Sequence, residues 1–279
     1  MSDVRLSDLG QITGPIKRSS QNVLLDDGTN TKRALLSQLL GSGAGAANAL
    51  TFKEEITEIT QEMWDSIANG DFNAVHVGMH YTAPSGRTYY FADADYYFGK
   101  GYPNEQTHHH MLVIEDEINH TANHQASNVT TGGAASSLIY TTTLPSIQGE
   151  LEADFGASHI LEQDISLTNA VSSGAPSGQT YVTKKCLLLC EKQVFGNDIR
   201  VTQGTNYFYN SLIRERQLSL FKNMPETIVA RSAGTTSRTW WWLDDVESAA
   251  YFGYVNIGGN ASCSSASNAG GVRRAFLIG

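Results

Sequence analysis

The end of this chain restricts its fold more than any other part. Val272, Ala275, Phe276, Leu277 and Ile278 crowd the final stretch, and apolar side chains at a terminus escape water only if the segment is tied into a sheet. Upstream lies the run Trp240-Trp241-Trp242-Leu243. Side chains alternate across a strand, so Trp241 is expected to face away from Trp240 and Trp242, with at least one ring at a surface, an interface or a loop junction. Between these pieces the composition turns to Tyr, Asn, Ser and Gly. Tyr251, Tyr254, Asn256, Asn260, Ser262, Ser264, Ser265, Ser267 and Asn268 have the character of antibody binding loops, where a rigid aromatic supplies area and small polar groups adapt. Together with Trp241 they form the expected ligand-binding set. A plain solvated loop is the alternative reading of the same residues.

Composition narrows the function. The chain has 279 residues, 19 Lys and Arg against 28 Asp and Glu, and a net charge of -9. A general nucleic-acid binder needs clustered basic residues to neutralise phosphates, which this balance does not supply. No apolar run approaches the ~20 residues that span a bilayer, and the segment MSDVRLSDLGQ lacks the basic and apolar regions of a secretory signal. Folding in a cytoplasm, without membrane insertion, is the expectation. Cys186, Cys190 and Cys263 give no even disulfide framework, and the first two are expected in the core.

Three regions are expected along the chain. Residues 1–41 read as an attachment arm: Val23-Leu24-Leu25 as a strand, Asp26-Asp27-Gly28-Thr29 as a turn, then a helix begun by Thr31 with Leu35, Leu36, Leu39 and Leu40 on one stripe. That helix is too short to stand alone, so its stripe is expected to meet the main domain, copies of itself or another protein. Residues 42–50, rich in Gly and Ala, read as a linker. Residues 51–279 read as one α+β domain. There, Phe52, Ile56, Ile59, Met63, Trp64 and Ile67 recur at helical intervals, Val75 to Phe91 reads as a hairpin turning at Pro84-Ser85-Gly86, and His108 to Ile114 as a strand with a polar entry. A helix is expected near Gly149 to Phe155, and buried segments at Val182 to Gly196 and Gln217 to Phe221.

Residues with chemical potential do not form a diagnostic pattern. His108, His109 and His110 cannot all converge from one strand, and His120 and His124, spaced as on one helix face, have no third ligand at a matching distance. Asp244, Asp245 and Glu247 are expected as solvated acids pairing with Arg231, Arg238 or Arg273 rather than as a calcium site. The sequence contains no nucleophile elbow, Walker loop or zincin motif. No catalytic residue, metal ligand or cofactor is expected.

The order of the segments adds a resemblance. Trp-Leu, then Ser248-Ala249-Ala250-Tyr251, a small polar loop and Gly271-Val272-Arg273-Arg274-Ala275-Phe276 resemble the end of a domain family spread through phages and prophages of gut bacteria. Ala92-Asp93-Ala94-Asp95-Tyr96-Tyr97, His109 to Ile114, Leu167 to Val171 and Val194-Phe195-Gly196 extend the likeness from about Thr88 to Gly279, leaving the arm outside it. Arg274 stands where that pattern more often has Pro. The resemblance implies a C-type-lectin-like fold in a non-enzymatic virion protein, a head fibre or capsid decoration, with a tail-fibre receptor binder as the alternative placement. It further implies an arm docked on a capsid or tail protein, a homotrimer, and a C-terminal region that contacts a host-surface glycan or protein. The E-P-N, Q-P-D and W-N-D segments of calcium-dependent lectins are absent, which speaks against calcium-dependent sugar binding. A lectin-fold enzyme or a bacterial adhesin is the rival reading.

Overall fold

A computed structural model describes residues 22–26, 31–35, 43–169, 171–172, 175–176, 178–200, 214 and 216–279. It is an α+β structure in which sheets dominate and the helices are short. The final strand, Ala275–Ile278, lies inside a six-stranded sheet. On one side it runs antiparallel to Met111–Glu115, with Ala275 opposite Ile114, and on the other it pairs with Ile160–Leu161. Phe276 is fully buried and meets Tyr89 and Phe155 edge-on at 5.8 and 5.0 Å. Burying such a side chain is worth roughly 1.5–3 kcal/mol, and that gain fixes the terminus in the sheet.

The rest of this sheet follows local sequence. Met79–Thr82 and Thr88–Ala94 form the expected hairpin, with His80 opposite Tyr90, and Thr88–Ala94 pairs onward with Met111–Glu115. Glu54–Ile56 adds a parallel edge strand. The helical spacing expected from Phe52 onward therefore holds only for Gln61–Ala68, where the Thr60 hydroxyl accepts a hydrogen bond from the Met63 amide at 3.3 Å. The residues before Thr60 find backbone partners in the sheet, which overrides their spacing. The Leu144–Phe155 helix buries Leu144, Ile147, Leu151 and Phe155 on one stripe against the sheet.

Between Glu115 and Ala275 the chain makes a long excursion whose two ends lie side by side. A five-stranded sheet forms there, in the order Ala261–Ser265, Tyr251–Val255, Trp241–Val246, Gly270–Val272, His120–Ala122. Alongside it, Arg238–Thr239, Ala230–Ser232 and Glu117–Ile118 make a three-stranded sheet. Trp240 and Trp242 pack together on one face at 4.8 Å between centroids, while Trp241 points to the other. Glycine at 270 follows from this: a Cβ there would strike the Trp240 ring and the Trp242 indole nitrogen.

Two expectations about the N-terminal part are corrected. Of the expected linker at residues 42–50, the described part from Gly43 onward is not a free tether, because Ala44–Ala49 is helical with Ala46 and Ala47 buried. The Asn48 side chain grips the Ala94 backbone, accepting from its amide at 2.7 Å and donating to its carbonyl at 3.1 Å. The small residues allow close packing there, so residues 43–50 pack as part of the domain rather than standing apart from it. In the arm, Asn22–Asp26 and Thr31–Leu35 pair as an antiparallel ribbon with Asn22 opposite Leu35. Leu35 is therefore in a strand, where backbone pairing supplies what a short helix cannot, and Leu36, Leu39 and Leu40 lie outside the described residues. No helix among the described residues is long and apolar enough to cross a membrane.

Candidate functional site

The C-terminal hairpin does not gather its polar residues into one site. In the pairing of Tyr251–Val255 with Ala261–Ser265, Tyr254 stands opposite Ser262 and Phe252 opposite Ser264, on one face, while Tyr251 stands opposite Ser265, on the other. Asn256 and Asn260 sit at the turn, where the Asn256 side-chain oxygen Oδ1 accepts from the backbone amides of Gly258 and Asn260 at 2.8 and 3.1 Å. At the opposite end, beside exposed Ser267, the Asn268 side chain donates from Nδ2 to the Ser264 hydroxyl at 2.9 Å. The expected ligand-binding set is thus divided between two faces and two ends. Trp241 leaves it altogether: it is fully buried, donates to the Ile228 carbonyl at 3.1 Å and carries the Arg273 guanidinium 5.0 Å from its ring. Tyr254 is partly buried against Trp240 at 4.8 Å, whereas Tyr251 is 41% exposed.

The acids after the tryptophans are also reassigned. Asp244 and Asp245 are buried rather than solvated, because the strand that carries them continues into the core. The partner of Asp244 is Arg214, not Arg231, Arg238 or Arg273: the guanidinium makes a forked contact with both carboxylate oxygens, and Tyr140 donates to the same group at 2.9 Å. Asp245 accepts from the Glu191 amide at 2.6 Å.

The histidines are dispersed into separate roles. His109 stacks on Phe98 at 4.4 Å and meets Asp95 at 2.7 Å, and His110 is buried beside Tyr97. His120 belongs to a strand, and His124 stacks on Phe252 at 3.8 Å in the core, so they do not share a helix face. Burial drives the His124 pKa down to about 3, against the hydrogen bond to the Leu243 carbonyl. No group of His, Cys, Asp or Glu that would hold a metal ion occurs among the described residues. Burial pushes the Cys186 thiol up to about 12 and raises Cys190 as well, while burial and then Glu247 raise Cys263 to about 11. All three are neutral thiols near pH 7.

A different place does gather polar groups around open space. A cleft of about 660 Å³ lies between the edge of the six-stranded sheet and the three-stranded sheet, with Gly258 of the C-terminal hairpin turn on its rim. Its lining draws Lys53, Tyr90 and Asp116 from the strands of the six-stranded sheet and their flanks, and Glu226, Arg231 and Arg238 from the segment that carries the three-stranded sheet. Behind it, His80 bridges two carboxylates, at 2.6 Å to Glu55 and 3.0 Å to Asp116, and lies tilted on Tyr90 at 4.5 Å. Burial opposes charge on His80, but the bonds to Asp116 and Glu55 outweigh it and hold its pKa above the ordinary histidine value. Asp116 answers in kind: burial would raise it, while His80 and Arg273 bring it below the usual carboxylate range. Arg273 sits under the wall, donating to the carbonyls of Glu115 at 2.7 Å and Thr227 at 2.9 Å. Arg231 and Arg238 were legible only as charge partners in the sequence; two short runs flanking Ala233-Gly234-Thr235-Thr236-Ser237 are the hairpin signal that places them opposite each other.

Comparison with family models, with curated proteins and with solved structures finds no match for this chain.

Proposed function

We propose that this is a non-enzymatic structural protein of a phage virion, a head fibre or capsid decoration, displaying a C-type-lectin-like domain that adheres to a host-surface glycan or protein. The observation that carries the reading is the excursion between Glu115 and Ala275. Its ends are locked side by side in the main sheet, and it bears both the C-terminal hairpin and most of the cleft wall. A closed scaffold with a loop-rich outer region supports the lectin-like assignment and a role in binding. The strongly shifted groups point the same way, since Tyr140, Arg214, Asp244 and His124 are sealed in the core rather than facing the cleft.

The arm supplies attachment and trimer formation in this reading. Its ribbon, Asn22–Asp26 with Thr31–Leu35, pairs with no other strand among the described residues. A two-stranded ribbon is marginal in water, so a virion component and sister copies are its natural supports. Removing residues 1–41 should leave a folded, soluble domain that no longer joins particles, checked by electron microscopy of labelled virions, which also decides between head and tail. Incorporation of the truncated chain at the full level would refute the attachment role.

A further inference from the structure

We propose that the 660 Å³ cleft binds an acidic saccharide, with Arg231 and Arg238 clamping its anionic group. The inference rests on the adhesion reading above and gives it a site and a ligand class.

Arg231 and Arg238 stand directly opposite each other in the antiparallel pairing of Ala230–Ser232 with Arg238–Thr239. Like charges in that arrangement destabilise a sheet. Both side chains are exposed, and neither forms an ion pair or a side-chain hydrogen bond among the described residues. Other arginines of this chain behave differently: Arg87 takes Asp154, Arg214 takes Asp244, Arg216 takes Asp93 and Arg274 takes Glu115. In the parallel pairing Glu117 lies across from Arg231, yet its carboxylate accepts from the Gly234 amide at 3.0 Å. Acids outnumber bases in this chain and Asp116, Glu117 and Glu226 line the same cleft, so two adjacent guanidinium groups that form no ion pair among the described residues are a local exception. Two such forks match a carboxylate, sulfate or phosphate group by paired N–H donors.

The facing wall determines what else the ligand carries. Asp116 keeps 31% of its side chain exposed while one oxygen is held by His80. With the Tyr90 phenol it offers acceptors to hydroxyl groups and repels a second anionic centre. A ligand with one acid group and several hydroxyls satisfies both walls, whereas inorganic phosphate or a nucleic-acid strand satisfies only one. The volume falls within the roughly 300–1,000 Å³ of small-molecule sites. The walls are prebuilt, because His80 holds Asp116 and Arg273 holds the turn at Thr227.

The test is calorimetric titration of the full chain with three probes: a glucuronate-containing oligosaccharide, the same oligosaccharide with its carboxyls reduced to alcohols, and a sulfated counterpart, alongside inorganic phosphate. We expect one or both acidic forms to bind with an affinity that falls with added salt, the one that binds naming the preferred group. The reduced form should bind at least tenfold more weakly. Arg231→Ala with Arg238→Ala should weaken acidic binding at least tenfold while leaving the thermal midpoint unchanged or higher, since a like-charge pair is removed. Equal binding of the reduced form, equal binding by the double variant, phosphate binding as tight as the saccharides, or no acidic saccharide binding at all would each overturn the site. In any of these cases, continued adsorption of particles through this protein would leave the adhesion reading standing. Absence of the protein from the particle surface would remove that reading whatever the cleft binds.

Discussion

Arg274→Ala should be among the most destabilising single changes in this chain. The Arg274 and Glu115 side chains are both fully buried and in contact, and Arg274 also donates to the Ile147 carbonyl at 2.8 Å and reaches Glu150 at 3.0 Å. Truncation leaves the Glu115 carboxylate in the core with only the Arg274 amide at 3.0 Å and the Asn119 side chain at 3.2 Å. Breaking a buried pair in this way costs about 3–5 kcal/mol. At roughly 2–4 °C per kcal/mol for a domain of this size, the melting midpoint should drop by about 6–20 °C. Denaturant and thermal unfolding of Arg274→Ala, Glu115→Ala and the double variant measure both the cost and the coupling. Because each single change strands the other charge, the double variant should be more stable than the sum of the singles predicts. A cost under about 1 kcal/mol for Arg274→Ala, or strict additivity, would show that the pair is not the lock described here.

Below pH 6.5, His124 should make stability pH-dependent: its folded pKa of about 3 lies below the ordinary 6.5, so its contribution is full above pH 6.5 and is lost as pH falls. The loss is about 1.4 kcal/mol per pH unit, and His124→Phe, which keeps the stack on Phe252, should flatten that part of the profile in pH-resolved melts; parallel profiles would refute it. A chain truncated to begin at residue 43 should melt like the full domain, while one beginning at residue 51 should be less stable, because it loses buried Ala46 and Ala47 and both Asn48 bonds to Ala94. Equal melting of the two would return residues 42–50 to the status of a linker.

Much of the fold was legible where one local signal sufficed. The Pro84-Ser85-Gly86 turn between alternating runs gave the hairpin, and the terminal apolar run gave a strand joined to the main sheet. Legibility failed where tertiary partners decided. Phe52 to Ile59 carry helical spacing, yet Glu54–Ile56 pairs with Met79–Thr82. The Gly and Ala residues at 43–49 look like a tether because nothing local reveals that small side chains are what lets a helix approach the sheet. Charge misled in the same way: Asp244 and Asp245 read as solvated acids because their compensating groups, Arg214 and the Glu191 amide, are distant in sequence. The expected binding residues were chosen by composition, and composition cannot say that alternation along a hairpin sends Tyr251 and Tyr254 to opposite faces. The cleft was missed because its walls come from segments that the sequence does not bring together.

Those walls are tied to the core by the same pair of segments that ties the sheets to one another. From Met111 to Ala122 the chain contributes in turn to the six-, three- and five-stranded sheets, and Gly270 to Ile278 returns from the five-stranded sheet to the six-stranded one. Arg273 and Arg274 stand at that return, both fully buried. Arg274 locks the crossing to Glu115, while Arg273 spans from the Glu115 carbonyl to Thr227 on the cleft wall. A buried cation is costly without partners, so Arg273 is held to the carbonyls and Arg274 to the carbonyl and carboxylate that they contact. The cleft therefore inherits its shape from the crossing: a change that loosens Glu115 displaces Asp116, the next residue, together with the turn that faces it. Ligand binding and global stability should consequently respond together to substitutions at the crossing and separately to substitutions of Arg231 and Arg238, which touch the cleft alone.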